Sequence, residues 1–149
     1  MPGQKNIYQK WHDHWEVGRD NTPLGRIKQS TEPWPHSRSK ERPLDVVLTR
    51  LRLDTTKLNY HMARMKQIES PLCTNCSMGE NETPAHFLLY CPAYETLRRS
   101  MRRTLRCHGV MDLTLPTLLG AWTGTESVKC HITEALCKFL KKTGRVFTL

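Results

Sequence analysis

Residues 73 to 91 read CTNCSMGENETPAHFLLYC, which places three cysteines and one histidine within nineteen residues. The spacing is Cys73-x2-Cys76-x9-His86-x4-Cys91. Two cysteines separated by two residues can grip one ion from a tight turn, and Gly79 follows in a loop suited to reversing the chain. The other two positions come from NETPAHFLLYC. Thr83 is a good N-cap and Pro84 suits the first helical position, so His86 should lie in the first turns of a short helix. On a continuous α-helix, residues five apart sit about 140° apart around the axis. His86 and Cys91 can therefore meet at one ion only if the helix distorts or ends, and Pro92 disfavours helical backbone at Cys91. Three thiolates and an imidazole make a closed tetrahedral shell for one Zn2+ ion, with no position left for a reactive water. The site is expected to be structural.

The other cysteines, Cys107, Cys130 and Cys137, are expected to be buried or half-buried thiols. No apolar run has the length of a membrane span, and MPGQKNIYQKWHDHWEVGRD carries no apolar core of signal-peptide type. A reducing, intracellular setting, cytoplasmic or nuclear, is the expectation. There, tight Cys-x2-Cys spacing reads as metal chemistry before disulfides. A thioredoxin-like use of Cys73 and Cys76 lacks the βαβ surroundings it needs.

Helical stripes dominate the rest. Leu44, Val47, Leu48 and Leu51 make one, and Leu58, Met62 and Met65 a second, with Thr55 or Thr56 as its cap. CPAYETLRRSMRRTLRC puts Tyr94, Leu97, Met101 and Leu105 on one face and Arg98, Arg99, Arg102, Arg103 and Arg106 around the remainder. DLTLPTLLGAW reads as a turn and a short helical piece. A last helix is expected from about Glu126 to Lys142, with Val128, Ile132, Ala135 and Phe139 in register and Gly144 as its stop. No strand pair is evident. The first forty residues contain Pro2, Pro23, Pro33 and Pro35, followed by Pro43, and show little apolar periodicity. The expected fold is thus mostly α: an irregular, Pro-rich arm over 1–42, a small helical domain around the Cys3His knuckle over 43–144, and a tail over 145–149. Trp11 and Trp15 would share a face of any short helix in the arm and dock it on this domain or on a neighbour.

Lysine and arginine total 23 against 14 acidic residues, a formal charge of +9. Such a balance favours a polyanionic partner. Arginine forks suit phosphate oxygens, so Arg98, Arg99, Arg102, Arg103 and Arg106 are the candidate RNA or DNA contacts. His12-Asp13-His14 could be read as a metal or acid–base cluster, but the flanking tryptophans favour a helix with solvated histidines. His61, His108 and His131 carry no partner pattern.

The string CTNCSMGENETPAHFLLYCPAY resembles the zinc-binding module that closes non-LTR (LINE-type) retrotransposon polyproteins, after the reverse transcriptase and, in many elements, a ribonuclease H domain. The shared pattern is Cys73 and Cys76, Glu82 and Thr83, His86 with Phe87 and Leu88, then Cys91 and Pro92. LTRLRLDTTKLNYHM is similar to the helical stretch before that knuckle, and HITEALCKFLKKTGR to the closing helix. One departure is Asp54-Thr55-Thr56, where family members often carry Gly-His-Thr. The resemblance implies a non-catalytic accessory module. It would help a polymerase hold RNA or DNA and could dock on a ribonuclease H or polymerase domain, with no membrane involved. Neither a paired-aspartate polymerase motif nor the four carboxylates of ribonuclease H occur. The alternatives are a protein-docking module or a truncated relic with no activity of its own.

Overall fold

The computed structural model describes residues 2–34, 39–122 and 124–149, so Pro35 and the rest of 35–38 lie outside the description. Among the described residues six α-helices follow in order: α1 Pro2–Gly18, α2 Arg42–Leu53, α3 Asn59–Arg64, α4 Glu95–Cys107, α5 Leu115–Leu119 and α6 Glu126–Lys142. No strand occurs among the described residues; a lone antiparallel bridge joins Leu72 to Asn81. The fold is mostly helical, as the stripes predict.

The two amphipathic helices α4 and α6 make the most extensive packing of the molecule. Met101 and Leu105 of α4 bury in the same core as Ile132, Ala135, Leu136, Phe139 and Leu140 of α6. Below them Phe87 and Tyr94 meet edge to face at 5.2 Å, and both rings lie against Phe139. Helix α2 adds Leu44, Val47, Leu48 and Leu51. Each such side chain, fully buried, contributes roughly 1.5–3 kcal/mol relative to exposure. Thr125 caps α6 by accepting from the Val128 N–H, and Gly144 follows the helix at φ +70°. Asp54 ends α2 in the left-handed region at φ 52°, a conformation open to glycine without strain and tolerated by aspartate.

Several expectations need correction. Residues 2–18 are helical, not irregular. The run between Pro2 and Pro23 holds no internal proline, and Pro2 stands at the first helical position, where its missing N–H is no loss. The arm is also not wholly peripheral. Ile27 belongs to the core, and Trp34 packs on it, with the Arg52 guanidinium 5.2 Å from the indole ring. Nor is 145–149 a free tail, since Leu149 is fully buried and its carbonyl accepts from the Lys57 N–H at 3.1 Å. Neither Thr55 nor Thr56 caps α3. Its first N–H, on Asn59, is taken by Glu82 Oε2 at 2.9 Å, from 23 residues away. Cys107 is exposed, while Cys130 is half-buried and Cys137 buried.

Candidate metal centre

Between Pro71 and Glu82 the chain doubles back on itself. Cys73 N–H donates to the Glu80 carbonyl at 2.8 Å, and Glu82 N–H to that of Pro71 at 2.9 Å. Gly79 occupies the reversal at φ +69°, where a side chain would be strained. This knuckle presents the Cys73 and Cys76 thiols on one side. Thr83 then caps a helical turn, its hydroxyl accepting from the His86 N–H at 3.1 Å, with Pro84 following at the first helical position.

The turn does not continue as an α-helix. Residues His86–Tyr90 form a π-helix, closed by the Cys91 N–H donating to the His86 carbonyl at 2.7 Å. The wider turn brings residue i+5 over residue i, which is the distortion the His86–Cys91 spacing demands. At Cys91 the backbone leaves helical geometry at ψ 121°, ahead of Pro92.

Cys73, Cys76, His86 and Cys91 converge, with all four ligand atoms within 4.8 Å of one another. Cys73 Sγ and Cys91 Sγ are 3.9 Å apart, and Cys76 Sγ lies 3.4 Å from His86 Nε2. Zinc bonds of about 2.3 Å to sulfur and about 2.0–2.1 Å to nitrogen imply tetrahedral edges of about 3.8 Å and about 3.6 Å. Both distances fit that figure. Three of the four residues are buried and Cys76 is half-buried. Burial, with the Cys73 thiol adding to it, pushes the Cys91 thiol up to about 12, although the Ala93 N–H works in the other direction. Buried thiols of this kind become thiolates when a cation shares their site, and binding then releases their protons. The four residues can hold a metal ion. It is the single such cluster among the described residues, so His12, Asp13 and His14 form none. They lie on α1, where positions two apart point about 200° apart, and Asp13 accepts from Gln9.

Around the ligands lies a polar shell. Glu82, 1 % exposed, accepts from Asn75 Nδ2 at 3.0 Å and from Arg145 Nη1 at 2.6 Å, and its Oε1 lies 3.9 Å from Cys73 Sγ. Glu82 is part of the sequence motif, but its place as a hub had no signal beyond an acidic residue between two ligand turns. Arg145 had none.

Of the five arginines expected at a phosphate surface, Arg98 is a correction. It is fully buried, and its fork is spent on the protein: Nε donates to the Leu88 carbonyl at 2.9 Å, Nη2 to that of Cys91 at 2.7 Å, and Nη1 to Glu95 at 2.6 Å. It falls on the buried face beside Met101, because position 98 is three residues from 101 on α4. Arg98 thereby pairs the Leu88 carbonyl of the π-helix and adds a second donor to the Cys91 carbonyl, which also accepts from the Tyr94 N–H at 3.2 Å. Arg99, Arg102, Arg103 and Arg106 instead line one groove with Glu95 and Cys107, and Arg102 also pairs with Glu95 at 3.6 Å.

No protein-family model matches the chain, and no curated protein or solved structure gives a significant match. No helix among the described residues is long and apolar enough to cross a membrane.

Proposed function

We propose that the chain is a non-catalytic nucleic-acid-binding module, with one structural zinc ion held by Cys73, Cys76, His86 and Cys91. On this reading it corresponds to the C-terminal tail of a LINE-type retrotransposon polyprotein, as its knuckle motif resembles. Zinc is favoured over softer or harder ions because a Cys3His set is its preferred structural shell. The observation that carries the reading is the linkage between centre and basic helix. Arg98 ties the carbonyl of ligand Cys91 to α4, and the same helix turns Arg99, Arg103 and Arg106 outward. The metal then fixes the pose of a cationic stripe. Positions 99 to 106 span about 10 Å along the helix. That length suits tracking phosphates, which position a protein on nucleic acid without regard to sequence.

The test is a binding titration at several salt concentrations, wild type against Arg99→Gln/Arg103→Gln/Arg106→Gln, with circular dichroism to match their folding. Loss should be similar for many RNA and DNA sequences, and the salt slope should shrink by roughly one for each phosphate contact removed. Identical titrations would reject the reading.

A second reading, as a docking module for a ribonuclease H or polymerase domain, has one observation in its favour. Helix α1 exposes Ile7, Tyr8, Trp11 and Val17, each more than half accessible. Salt-independent capture of such a domain, lost in Trp11→Ala, would place this reading ahead.

A further inference from the structure

We infer that the buried Glu82–Arg145 pair is a positioning device for the metal centre, and that it ties metal loading to the seating of residues 145–149. The inference rests on the proposed zinc centre and concerns residues outside its ligand shell.

Glu82 touches three separate parts of the chain. Through Asn75 Nδ2 it holds the loop between the two knuckle ligands. Through the Asn59 N–H it caps α3, and through Arg145 it holds the segment after α6. A carboxylate with 1 % exposure needs a compensating cation, and Arg145 supplies it. Burial works to lower the Arg145 pKa, but the Glu82 carboxylate, with Tyr94 adding to it, carries it above its ordinary value. The guanidinium also lies 5.3 Å from the ring of Phe87, the neighbour of ligand His86.

Charge makes the pair matter more when the metal is bound. Three thiolates on one divalent ion leave a net negative charge, and Glu82 adds another within hydrogen-bonding reach of the knuckle. Arg145 offsets one of the two, so its presence favours the loaded state. In turn, Arg145 is seated by the last residues of the chain. Its carbonyl accepts from the Thr148 and Leu149 N–H groups, the Leu149 side chain is fully buried, and the Leu149 carbonyl accepts from Lys57 just ahead of α3. Metal, Glu82, Arg145 and Leu149 thus form one chain of contacts. On this inference binding at one end favours seating at the other, and such a coupling is reciprocal.

Zinc affinity, read by competition with a chromophoric chelator, tests this on the full chain. Arg145→Met should bind zinc about 10- to 100-fold more weakly, the range for removing an outer-shell partner. Phe147→Ala, on the same segment but 81 % exposed, should match wild type. Leu118→Ala, a core change in α5, should lower the melting temperature without altering the competition of the folded protein. Glu82→Gln and the double variant complete a cycle in which the two substitutions are not additive, since without the Glu82 carboxylate Arg145 has no charge to hold at the knuckle. Hydrogen exchange adds the reverse direction: removing zinc should release the amides of Lys57 and Leu149 before those in the middle of α6. Should Arg145→Met fail to fold, Arg145→Lys, which keeps charge but not the fork, should show a smaller loss of zinc affinity. Wild-type competition in a folded Arg145 variant, or a loss no greater than that of Leu118→Ala, overturns the coupling. A wild-type chain that binds no zinc overturns the centre itself.

Discussion

Between Pro71 and Tyr94 only two short helical turns are regular, whereas α1 runs for seventeen residues without a break. The irregular region is nonetheless the better specified. Several of its polar groups have long-range or capping partners: Thr83 caps a turn, Glu82 and Asn75 brace the knuckle, and Arg98 donates to the Leu88 and Cys91 carbonyls. Its apolar residues Phe87, Leu88 and Leu89 are buried. Helix α1 has the opposite balance. Its backbone is satisfied internally, yet Ile7, Tyr8, Trp11 and Val17 face solvent, and the Trp15 indole N–H is buried with no acceptor. Regular secondary structure is a local matter; a unique place in the fold comes from long-range side-chain contacts.

Metal removal should break this contrast most strongly. Structural zinc contributes on the order of 10 kcal/mol to the folding of small zinc domains, because the site does not exist in the unfolded chain. Cys91→Ser, or chelation of the wild type, should abolish the cooperative thermal transition of the knuckle and its core. Deleting α1 should move that transition by less than about 1 kcal/mol. A zinc-loaded Cys91→Ser protein melting like wild type would show that the four residues do not act as one centre.

Arg98 comes next. Arg98→Met keeps much of the buried stem but leaves the Leu88 carbonyl unpaired, while the Cys91 carbonyl keeps the Tyr94 N–H at 3.2 Å. A loss of about 1–3 kcal/mol is expected in denaturant unfolding. Arg99→Met, one residue along on the exposed face, should stay within about 0.5 kcal/mol. Equal effects would mean that the fork contributes nothing beyond its stem. In nucleic-acid binding the salt slope should separate them: Arg99→Met should lose about one phosphate contact's worth of slope, whereas the folded fraction of Arg98→Met, its stripe no longer tied to Cys91, should bind more weakly with the slope kept.

These two arginines mark the limit of what a sequence discloses. The ligand set was legible because four compatible side chains at fixed spacing have few other uses, and the need for a distorted helix followed from His86 and Cys91 being five apart. Helix α6 was legible to its ends, since the apolar stripe and Gly144 agree. Arg98 was not. In a run of five arginines nothing local marks the one that turns inward; the carbonyls it reaches, those of Leu88 in the π-helix and of Cys91 just after it, come near only in the folded chain. Glu82 as the cap of α3 was hidden for the same reason, being 23 residues from Asn59, so Thr55 and Thr56 looked like the better candidates. Pro-richness masked α1, because prolines at 2 and 23 bracket a helix as readily as they break one.

Trp34 sharpens the boundary between the two regions. Its ring sits against the Gly120 backbone, where an added Cβ would come within 3.2 Å, with the cations of Lys28 and Arg52 5.7 Å and 5.2 Å from its centre. Trp34→Ala removes a half-buried indole and should cost about 2 kcal/mol, below the 3–5 kcal/mol of a fully buried aromatic. It should also free the 24–34 segment, detected as faster amide exchange at Ile27 and Lys28. Unchanged exchange there would mean that Ile27 alone holds the arm.

Trp11→Ala should have the smallest effect on stability. Trp11 is 70 % exposed and lies on the rim of a cavity formed with Trp15, Leu24 and Lys28. Removing it forfeits little burial, so the unfolding free energy should change by no more than about 0.5 kcal/mol. The contrast with Trp34→Ala then measures where the arm stops being part of the fold. Tryptophan fluorescence can follow it directly: the Trp11 contribution should be quenched by acrylamide in the native state, and the Trp34 contribution protected until global unfolding. If Trp11→Ala instead costs as much as Trp34→Ala, α1 is packed on the domain in solution. Its apolar face would then be core, and the docking reading would lose the observation on which it stands.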